Sequence, residues 1–539
     1  MNNTIFRFEV PQNETQFNYA PNSPEREGIS RELERLKNEI TEIPVIIRGQ
    51  EVRTGKTGTV RMPHNHSHVL ATYHMAGEKE AAAAIEAAQA AKQEWMNLSW
   101  VERASITLKA AALMARKYRF TLNAATMLGQ SKNVHQAEID AACETIDFLR
   151  YNAYFASEIY SNQPRSGFSQ LNRMEYRPLE GFVYVVSPFN FTAIGSNLNM
   201  SVILMGNTTL WKPATTSLFA NYVLMKIFQE AGVPDGVINF LPGGGQEISR
   251  RVIPDRNLAG IHLAGSNATF NSLWQQVAAN LENYRSYPRL VGETGGKDFV
   301  FAHASASAHP LATALIRGAF EYQGQKCSAA SRAYIPRSLW KQVRQLLLEM
   351  VAEIKMGDVC DFKNFMNAVI DKAAYVRIMG YIDQAKSDCE ILCGGKGNDQ
   401  TGYFIEPTII VTRNPKSTTM VEEIFGPVLT VFVYEDNEFE ETLRLCDETS
   451  PYALTGAVFT NDRYAFVKAC QVLRYAAGNF YLNDKPTGAM VGLQPFGGAR
   501  ASGTNDKAGG HLNLLRWISP RTIKETFVPP YGFAYPFMQ

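Results

Sequence analysis

The chain has 539 residues, more than one hydrophobic core organises, so two or three domains are expected. Hydrophobic residues make up 45% and charged residues 19%, and 53 basic side chains stand against 52 acidic ones for a net charge of +1. That balance lacks the electrostatic footprint of a nucleic-acid binder or an anionic-membrane protein, and no apolar run reaches the ~18 residues of a membrane span.

Residues 1–45 read as an N-terminal arm with one helix candidate, Arg31–Ile40. The opening Met1-Asn-Asn-Thr-Ile-Phe-Arg7 has neither signal-peptide nor transit-peptide character. Seven scattered cysteines suit a reducing compartment, so a cytoplasmic protein is expected. Residues 45–75 read as short strands and turns containing His64-Asn-His-Ser-His68 and His74. No cysteine or acidic partner stands at ligand spacing, so these histidines are expected to be solvated strand residues and no metal site is expected.

From Glu78 to about Tyr160 the pattern is helical, with Glu80–Lys92 rich in alanine. Ser161–Pro178 reads as a hairpin leaving the body. Between Gly181 and Val291 strand candidates Phe182–Ser187, Thr208–Lys212, Val237–Leu241 and Leu258–Leu263 alternate with helices such as Ser217–Ala231 and Ala268–Asn283. Such alternation implies right-handed crossovers and a parallel, doubly wound sheet of Rossmann type, with ligands beyond the carboxyl ends of its strands. A second α/β unit runs from Lys297 to about Asp484, with strands at Phe299–Phe301, Ala333–Ile335, Val428–Tyr434 and Ala457–Thr460 and a helix over Leu339–Lys355. Gly- and Pro-rich loops and an aromatic tail, Pro529–Gln539, follow.

Three stretches carry chemistry-bearing residues. Cys327 follows Gly324 and Lys326 and precedes the small polar run Ser328–Ser331, expected to open a helix. Free N–H groups and a nearby cation would there favour the thiolate, although a lone cysteine is often a small buried hydrophobe. Gly265-Ser266-Asn267-Ala268-Thr269 follows a strand and opens a helix, which fits either a pyrophosphate on its N–H groups or a plain serine cap. The G-x-G-x-x-G fingerprint is absent, and Gly243–Gly245 reads as a turn. Lys212, between Trp211 and Pro213, ends a strand where a nucleotide ribose or phosphate would lie.

Six motifs in order, Ser187–Asn190, Trp211–Pro213, Ala264–Ser266, Gly292–Lys297, Gly324–Cys327 and Glu422–Pro427, resemble the aldehyde dehydrogenase superfamily over nearly the whole chain. Ser187–Ile194, Ala319–Ser328 and Gln494–Asp506 look like the branch that oxidises L-glutamate γ-semialdehyde, formed from 1-pyrroline-5-carboxylate in proline breakdown. No proline dehydrogenase domain is seen, so the monofunctional form is implied. The resemblance implies an α/β, aldehyde dehydrogenase-like fold with an arm (1–45), a NAD-binding domain (46–160 and 181–291), oligomerisation elements (161–180 and 515–539) and a catalytic domain (292–514). It also implies NAD as cofactor, a small-molecule substrate and a homo-oligomer, at least a dimer.

The roles implied are Cys327 as nucleophile, Glu293 as the water-activating base, and Asn190 with the Cys327 N–H as oxyanion donors. Ser187, Lys212, Gly265, Ser266, Asn267, Ala268, Thr269, Glu423 and Phe425 would hold the dinucleotide. Lys326, Ser328 and the N–H groups of Gly488 and Ala489 would take the substrate carboxylate, Phe191 and Phe496 would flank its chain, and Glu144 would meet its ammonium. Two positions depart from the general pattern. Thr215 replaces an acid expected on the adenosine ribose, which leaves NADP open beside NAD, and Phe270 replaces a glycine. The competing expectations are oxidation of another short aldehyde, or a reductase or CoA-acylating relative, against which Glu293 argues.

Overall fold

The computed structural model describes residues 8–539; the first seven residues of the expected arm lie outside it. The arm's helix spans Pro24–Asn38 and starts earlier than its apolar spacing suggests. Ser23 caps it by accepting from the Arg26 N–H at 3.2 Å, proline occupies the first turn, and Ile29, Leu33 and Leu36 are buried.

Two seven-stranded sheets organise the molecule. In space, the first runs Arg289–Glu293, Leu258–Ala264, Phe182–Ser187, Thr209–Pro213, Ile238–Phe240, Val45–Ile47 and Gln50–Val52. Its first five strands are parallel, and the N-terminal pair joins antiparallel at one edge. The parallel part begins at Phe182–Ser187, builds outward one way, then crosses to Leu258–Ala264 on the other side. The carboxyl ends at that reversal are where a doubly wound sheet opens a ligand crevice. All seven residues of Leu258–Ala264 are buried, which is why the strand reads as a continuous apolar run.

The second sheet runs Glu390–Cys393, Thr408–Thr412, Val428–Tyr434, Ala330–Pro336, Asp298–Ala302, Thr455–Phe459 and Asn479–Leu482, parallel except at its first edge. Apolar cores fill both faces of each sheet.

Two expectations are corrected here. Ser161–Pro178 is not a hairpin: its strand Gln170–Pro178 pairs antiparallel with Ile518–Thr526 over nine residues, so the turn signals at 161–169 serve a loop and the partner comes from the far end of the sequence. The histidines are not all solvated: His66 and His68 are half-exposed, but the other two are not. Strands Thr57–Met62 and Asn65–His74 pair with each other, and His64 and His74 are buried. His64 Nδ1 meets Ser131 Oγ at 3.2 Å, His66 Nε2 the Asp399 carbonyl at 2.9 Å, His68 Nε2 the Lys37 carbonyl at 2.9 Å, and His74 Nε2 a Glu42 oxygen at 3.0 Å. His64, His66 and His68 tie this part of the chain to three other segments, whereas His74 reaches Glu42 on the neighbouring strand Thr41–Ile43 of the same sheet. Burial lowers His64 to about 4, which keeps it neutral. Among the described residues no three His, Cys, Asp or Glu side chains converge as a metal site.

The helical stretch includes Glu78–Asn97, Trp100–Leu113, Arg119–Gln130 and Glu144–Ser161. The last is entered through a π-helical turn, Glu138–Cys143, and Asp140, Cys143 and Glu144 from this junction face one large cavity.

Candidate active site

The cavity, about 1260 Å³, lies between the carboxyl ends of the two sheets. That volume exceeds the usual range for a single small ligand, ~300–1,000 Å³, and suits a dinucleotide plus a small second molecule.

The first sheet supplies one wall. Ser187, Lys212, Gly265 and Glu293 stand at or just past the ends of four of its strands. The Ser187 hydroxyl accepts from Trp211 Nε1 at 2.9 Å. Burial lowers Lys212 to about 8, with no carboxylate opposing it. The helix Asn267–Ala278 is capped by Ser266, which accepts from the Thr269 N–H at 3.2 Å. Its first turn lines the cavity through Ala268 and Thr269, whereas Asn267 turns away and donates to the Ala501 carbonyl at 3.0 Å. Gly292 makes room for the ring of Phe270, since a Cβ there would lie 2.5 Å from it. Thr215 sits in a short 3₁₀ turn and is not on the cavity wall.

Across the cavity, Glu423 Oε1 accepts from the Gly296 N–H at 2.8 Å. Gly295 leaves the space that carboxylate occupies, since a Cβ would stand 2.1 Å from it and displace it. Phe425, at φ 55°, packs edge-on against Phe189 with centroids 5.8 Å apart. These observations fit a dinucleotide: a helix N-terminus, a half-buried lysine without an acidic partner, and a glycine-lined carboxylate.

The segment bearing Cys327 is built by strain held in place. After the helix Ala308–Phe320, three residues in succession, Tyr322, Gln323 and Gly324, adopt left-handed backbone with φ of 49°, 56° and 67°. Such conformations cost about 1–3 kcal/mol for a non-glycine residue and need surroundings that enforce them. Here Gln323 Nε2 donates to the carbonyls of Ser131 at 3.0 Å and Ala368 at 2.8 Å, and its Oε1 accepts from the Asn367 N–H at 2.9 Å. Gln325 Oε1 accepts from the Ile370 N–H at 2.9 Å. Glycine is required at 324, where a Cβ would lie 2.2 Å from the Gly426 carbonyl.

The chain leaves this turn through Cys327 into the strand Ala330–Pro336, so the expected helix start is absent. The expected bias toward the thiolate is absent too. Burial pushes the Cys327 thiol well above its ordinary value, and the carboxylates of Asp298, Glu293, Glu423 and Glu144 push the same way. Lys326 faces other acids: Nζ is 3.4 Å from Asp140 and 3.9 Å from Glu321. Lys132, fully buried, shares Asp140 at 2.7 Å and lies 4.3 Å from the ring centres of Phe191 and Tyr322. Lys485 completes the chain of charges at 2.9 Å from Glu321.

Asn190 Nδ2 donates to the Gln325 carbonyl at 3.0 Å, which ties the first sheet's loop to the cysteine segment. Glu293 ends its strand at the cavity; its Oε2 is buried without a hydrogen-bond partner. Burial raises its pKa well above the carboxylate range, Asp506 adds to the rise, and Lys507 opposes it. Ser328 Oγ lies 2.8 Å from Thr487 Oγ1, and Gly488 follows at φ 98°, turning the chain along the cavity wall into Ala489. Phe191, Phe496 and Glu144 line the same end. Burial raises Glu144 strongly, with Asp140 adding to the effect.

Of the residues given catalytic, dinucleotide or substrate roles from the resemblance, all but Asn267 line this one cavity. Unnoticed in the sequence were Lys507, directly after the matched segment Gln494–Asp506, and Thr487, directly before Gly488. The partnership of Lys132 with Asp140, and the bolts formed by Gln323 and Gln325, leave no trace in residue spacing.

A family model for the aldehyde dehydrogenase family matches residues 51–523. The mitochondrial delta-1-pyrroline-5-carboxylate dehydrogenase of Dictyostelium discoideum is 51% identical over 534 residues, 98% of this chain and 96% of that one. The human protein of the same name is 48% identical over 530 residues, 98% and 94% of the two chains. The crystal structure of the Delta-pyrroline-5-carboxylate dehydrogenase from Mycobacterium tuberculosis bound with NAD superposes with a TM-score of 0.96 at 50% identity, with 100% of both chains covered. With two doubly wound sheets meeting at one cavity, and a family match running through both, the chain belongs to the aldehyde dehydrogenase family.

Proposed function

We propose that this chain oxidises L-glutamate γ-semialdehyde to L-glutamate with NAD, the second step of proline degradation. The observation that carries the chemistry is a single cavity holding the Cys327 thiol and the unpartnered carboxylate of Glu293. Relatives with the corresponding names match almost end to end, and this supports the substrate.

Cys327 Sγ attacks the aldehyde carbon. The thiol proton must leave first, and Glu293, whose raised pKa makes it a competent acceptor, lies in the same cavity. The oxyanion of the resulting thiohemiacetal is met by the Asn190 carboxamide and the Cys327 N–H. The dinucleotide, when bound, supplies the hydride acceptor. Loss of hydride leaves a thioester on Cys327; Glu293, once it has released the thiol's proton to solvent, takes a proton from the water that attacks the thioester, and the free acid departs as the Cys327 thiolate is expelled. Ser187, Lys212, Gly265, Ser266, Ala268, Thr269, Glu423 and Phe425 hold the dinucleotide, with Asn267 contributing through its backbone. At the other end the N–H groups of Gly488 and Ala489, with Lys326 and Ser328, take the α-carboxylate. Phe191 and Phe496 flank the aliphatic chain and Glu144 faces the ammonium.

The ribbon formed by Gln170–Pro178 and Ile518–Thr526, followed by the exposed Tyr531, Phe533 and Phe537, is the surface we assign to homo-oligomer formation. The boundaries proposed from the sequence accompany this reading: an arm to residue 45, cofactor segments 46–160 and 181–291, and a catalytic segment 292–514. The seven cysteines, none of them disulfide-bonded, support a reducing aqueous compartment. We propose the cytoplasm; the Dictyostelium and human relatives carry a mitochondrial designation, and cell fractionation decides between the two.

The test is a nicotinamide-absorbance assay with pyrroline-5-carboxylate and either NAD or NADP, run beside Cys327→Ala. Turnover with NAD, none from the variant, and free glutamate as product are expected. Equal turnover of acetaldehyde or succinate semialdehyde would shift the assignment to another short aldehyde. A requirement for CoA would make it an acylating relative.

A further inference from the structure

The segment from Pro11 to Tyr19 contains no helix or strand, yet side chains hold it down along its length. Tyr151 donates its hydroxyl to the Pro11 carbonyl at 2.8 Å. The Glu14 N–H donates to Asp147 Oδ1 at 2.7 Å, and the Glu14 carboxylate meets Arg119 at 2.7 Å and Arg150 at 2.6 Å. The Phe17 N–H and the Tyr19 hydroxyl both end on Glu138, at 2.9 and 2.6 Å. A stretch with no secondary structure of its own therefore satisfies buried acids on the helical wall of the cavity.

Asn13 does something different from the rest. Its Nδ2 donates both to Asp147 Oδ2 at 2.9 Å and to the Val491 carbonyl at 2.8 Å. Asp147 lies three residues beyond Glu144 on the helix Glu144–Ser161, and Val491 lies two residues beyond Ala489. One carboxamide thus joins the wall bearing Glu144 to the loop bearing Gly488 and Ala489. That loop has left-handed glycines at both ends, Gly488 at φ 98° and Gly492 at φ 80°. Met490 ties its middle to the following turn, its N–H donating to Gln494 Oε1 at 2.9 Å, Val491 packs on Phe148 and Tyr151, and the Asn13 carboxamide adds a polar tie to the helical wall. Gly492 rests so closely on the Tyr151 ring that a Cβ would lie 2.2 Å from it. Glu14, Asp147 and Val491 all border the cavity.

We infer that the strap Pro11–Tyr19 fixes the Gly488–Val491 loop for capture of the substrate's α-carboxylate, with Asn13 as the positioning residue. This rests on the assignment of Gly488 and Ala489 as the carboxylate site. Two consecutive N–H groups grip an anion only when both are aimed at it, so a loop freed at Val491 loses that grip. The aldehyde carbon reacts at Cys327, on a different segment. A substrate without a carboxylate makes no demand on the loop.

The experiment compares Asn13→Ala and Tyr151→Phe with the full-length parent protein on glutamate semialdehyde and on propionaldehyde, at saturating NAD. For Asn13→Ala, KM for the semialdehyde is expected to rise roughly tenfold, the scale of one lost hydrogen bond plus an orphaned acceptor, with kcat within about twofold. KM for propionaldehyde is expected to stay put. Tyr151→Phe keeps the ring against Gly492 and removes the hydroxyl's bonds to the Pro11 carbonyl and, at 3.3 Å, to Asn13 Oδ1. It leaves both bonds of Asn13 Nδ2 in place, so it should shift the semialdehyde KM in the same direction by a smaller factor. An unchanged semialdehyde KM in both variants overturns the inference. So does a parallel loss on both substrates, which would mark the strap as merely structural. If the parent protein itself shows no preference for the semialdehyde, it is the carboxylate-site assignment that fails.

Discussion

Asn190 and Gln325 are joined across the cleft between the two large sheets: the carboxamide of one donates to the carbonyl of the other at 3.0 Å. The same side chain that is assigned to the developing oxyanion therefore also fixes the approach of the cysteine segment, two residues before the thiol. Asn190→Ala should lower kcat ~10²–10³-fold, as losing one preorganised donor does. Asn190→Asp, which cannot donate from a carboxylate, should do no better. Steady-state kinetics, with dinucleotide affinity measured separately and expected to be unchanged, checks this.

The base reading of Glu293 has a pH signature. Its active form is the carboxylate and its pKa is raised by burial, so the hydrolytic rate should climb with pH through a value well above the ordinary carboxylate range. Glu293→Gln should abolish that limb, slow thioester hydrolysis by ~10²–10⁴, and slow the single-turnover burst of reduced dinucleotide as well, because it also removes the acceptor of the thiol proton. Stopped-flow absorbance separates the two phases.

The same shift affects stability. A carboxyl whose folded pKa lies above its unfolded value of about 4.5 binds its proton more tightly in the native state. Stability from this group is present at acid pH and falls as pH rises from that unfolded value through the folded one. Glu293→Gln should therefore melt higher than the parent at neutral pH, and the gap should close on acidification toward the unfolded value. Calorimetry or thermal fluorescence across pH provides the readout.

Lys212 titrates on the other side of neutrality. Burial lowers it to about 8, so in the free enzyme its ammonium is lost as pH rises through that value. Dinucleotide affinity should weaken there. Lys212→Met should raise Kd roughly tenfold, the scale of one charge-assisted hydrogen bond, and flatten the alkaline dependence. Isothermal titration over a pH series checks both.

Gly324→Ala places a methyl group 2.2 Å from the Gly426 carbonyl at a position with φ 67°. A loss of ~2–4 kcal/mol in stability and of nearly all turnover is expected, with the thiol displaced from its setting. Denaturant unfolding and thiol titration measure the two effects.

What the residues announced in advance follows from how locally each feature is determined. Phe182–Ser187 and Val428–Tyr434 were read to the residue, because strands inside a parallel sheet are apolar almost throughout. The Cys327, Glu293 and Asn190 segments were legible as contiguous motifs. The partner of Gln170–Pro178 was not, because its pairing joins segments more than three hundred positions apart and no local signal encodes that. Nor was the left-handed run, since neither Tyr322 nor Gln323 is a residue that favours it, and long-range bonds to Ser131, Ala368 and Asn367 impose it. The thiol's environment is hidden from the local sequence for a related reason: it is a sum of burial and of Asp298, Glu293, Glu423 and Glu144, brought together only in space.

The ribbon closed by Ile518–Thr526 has a bearing on biosynthesis. On the ribosome, Gln170–Pro178 emerges early and must wait for most of the polypeptide before its cognate strand exists. Throughout that interval it is an open template for other nascent chains. Shielding by a holdase during elongation, or aggregation when late residues are deleted, is the burden that this topology places on the cell.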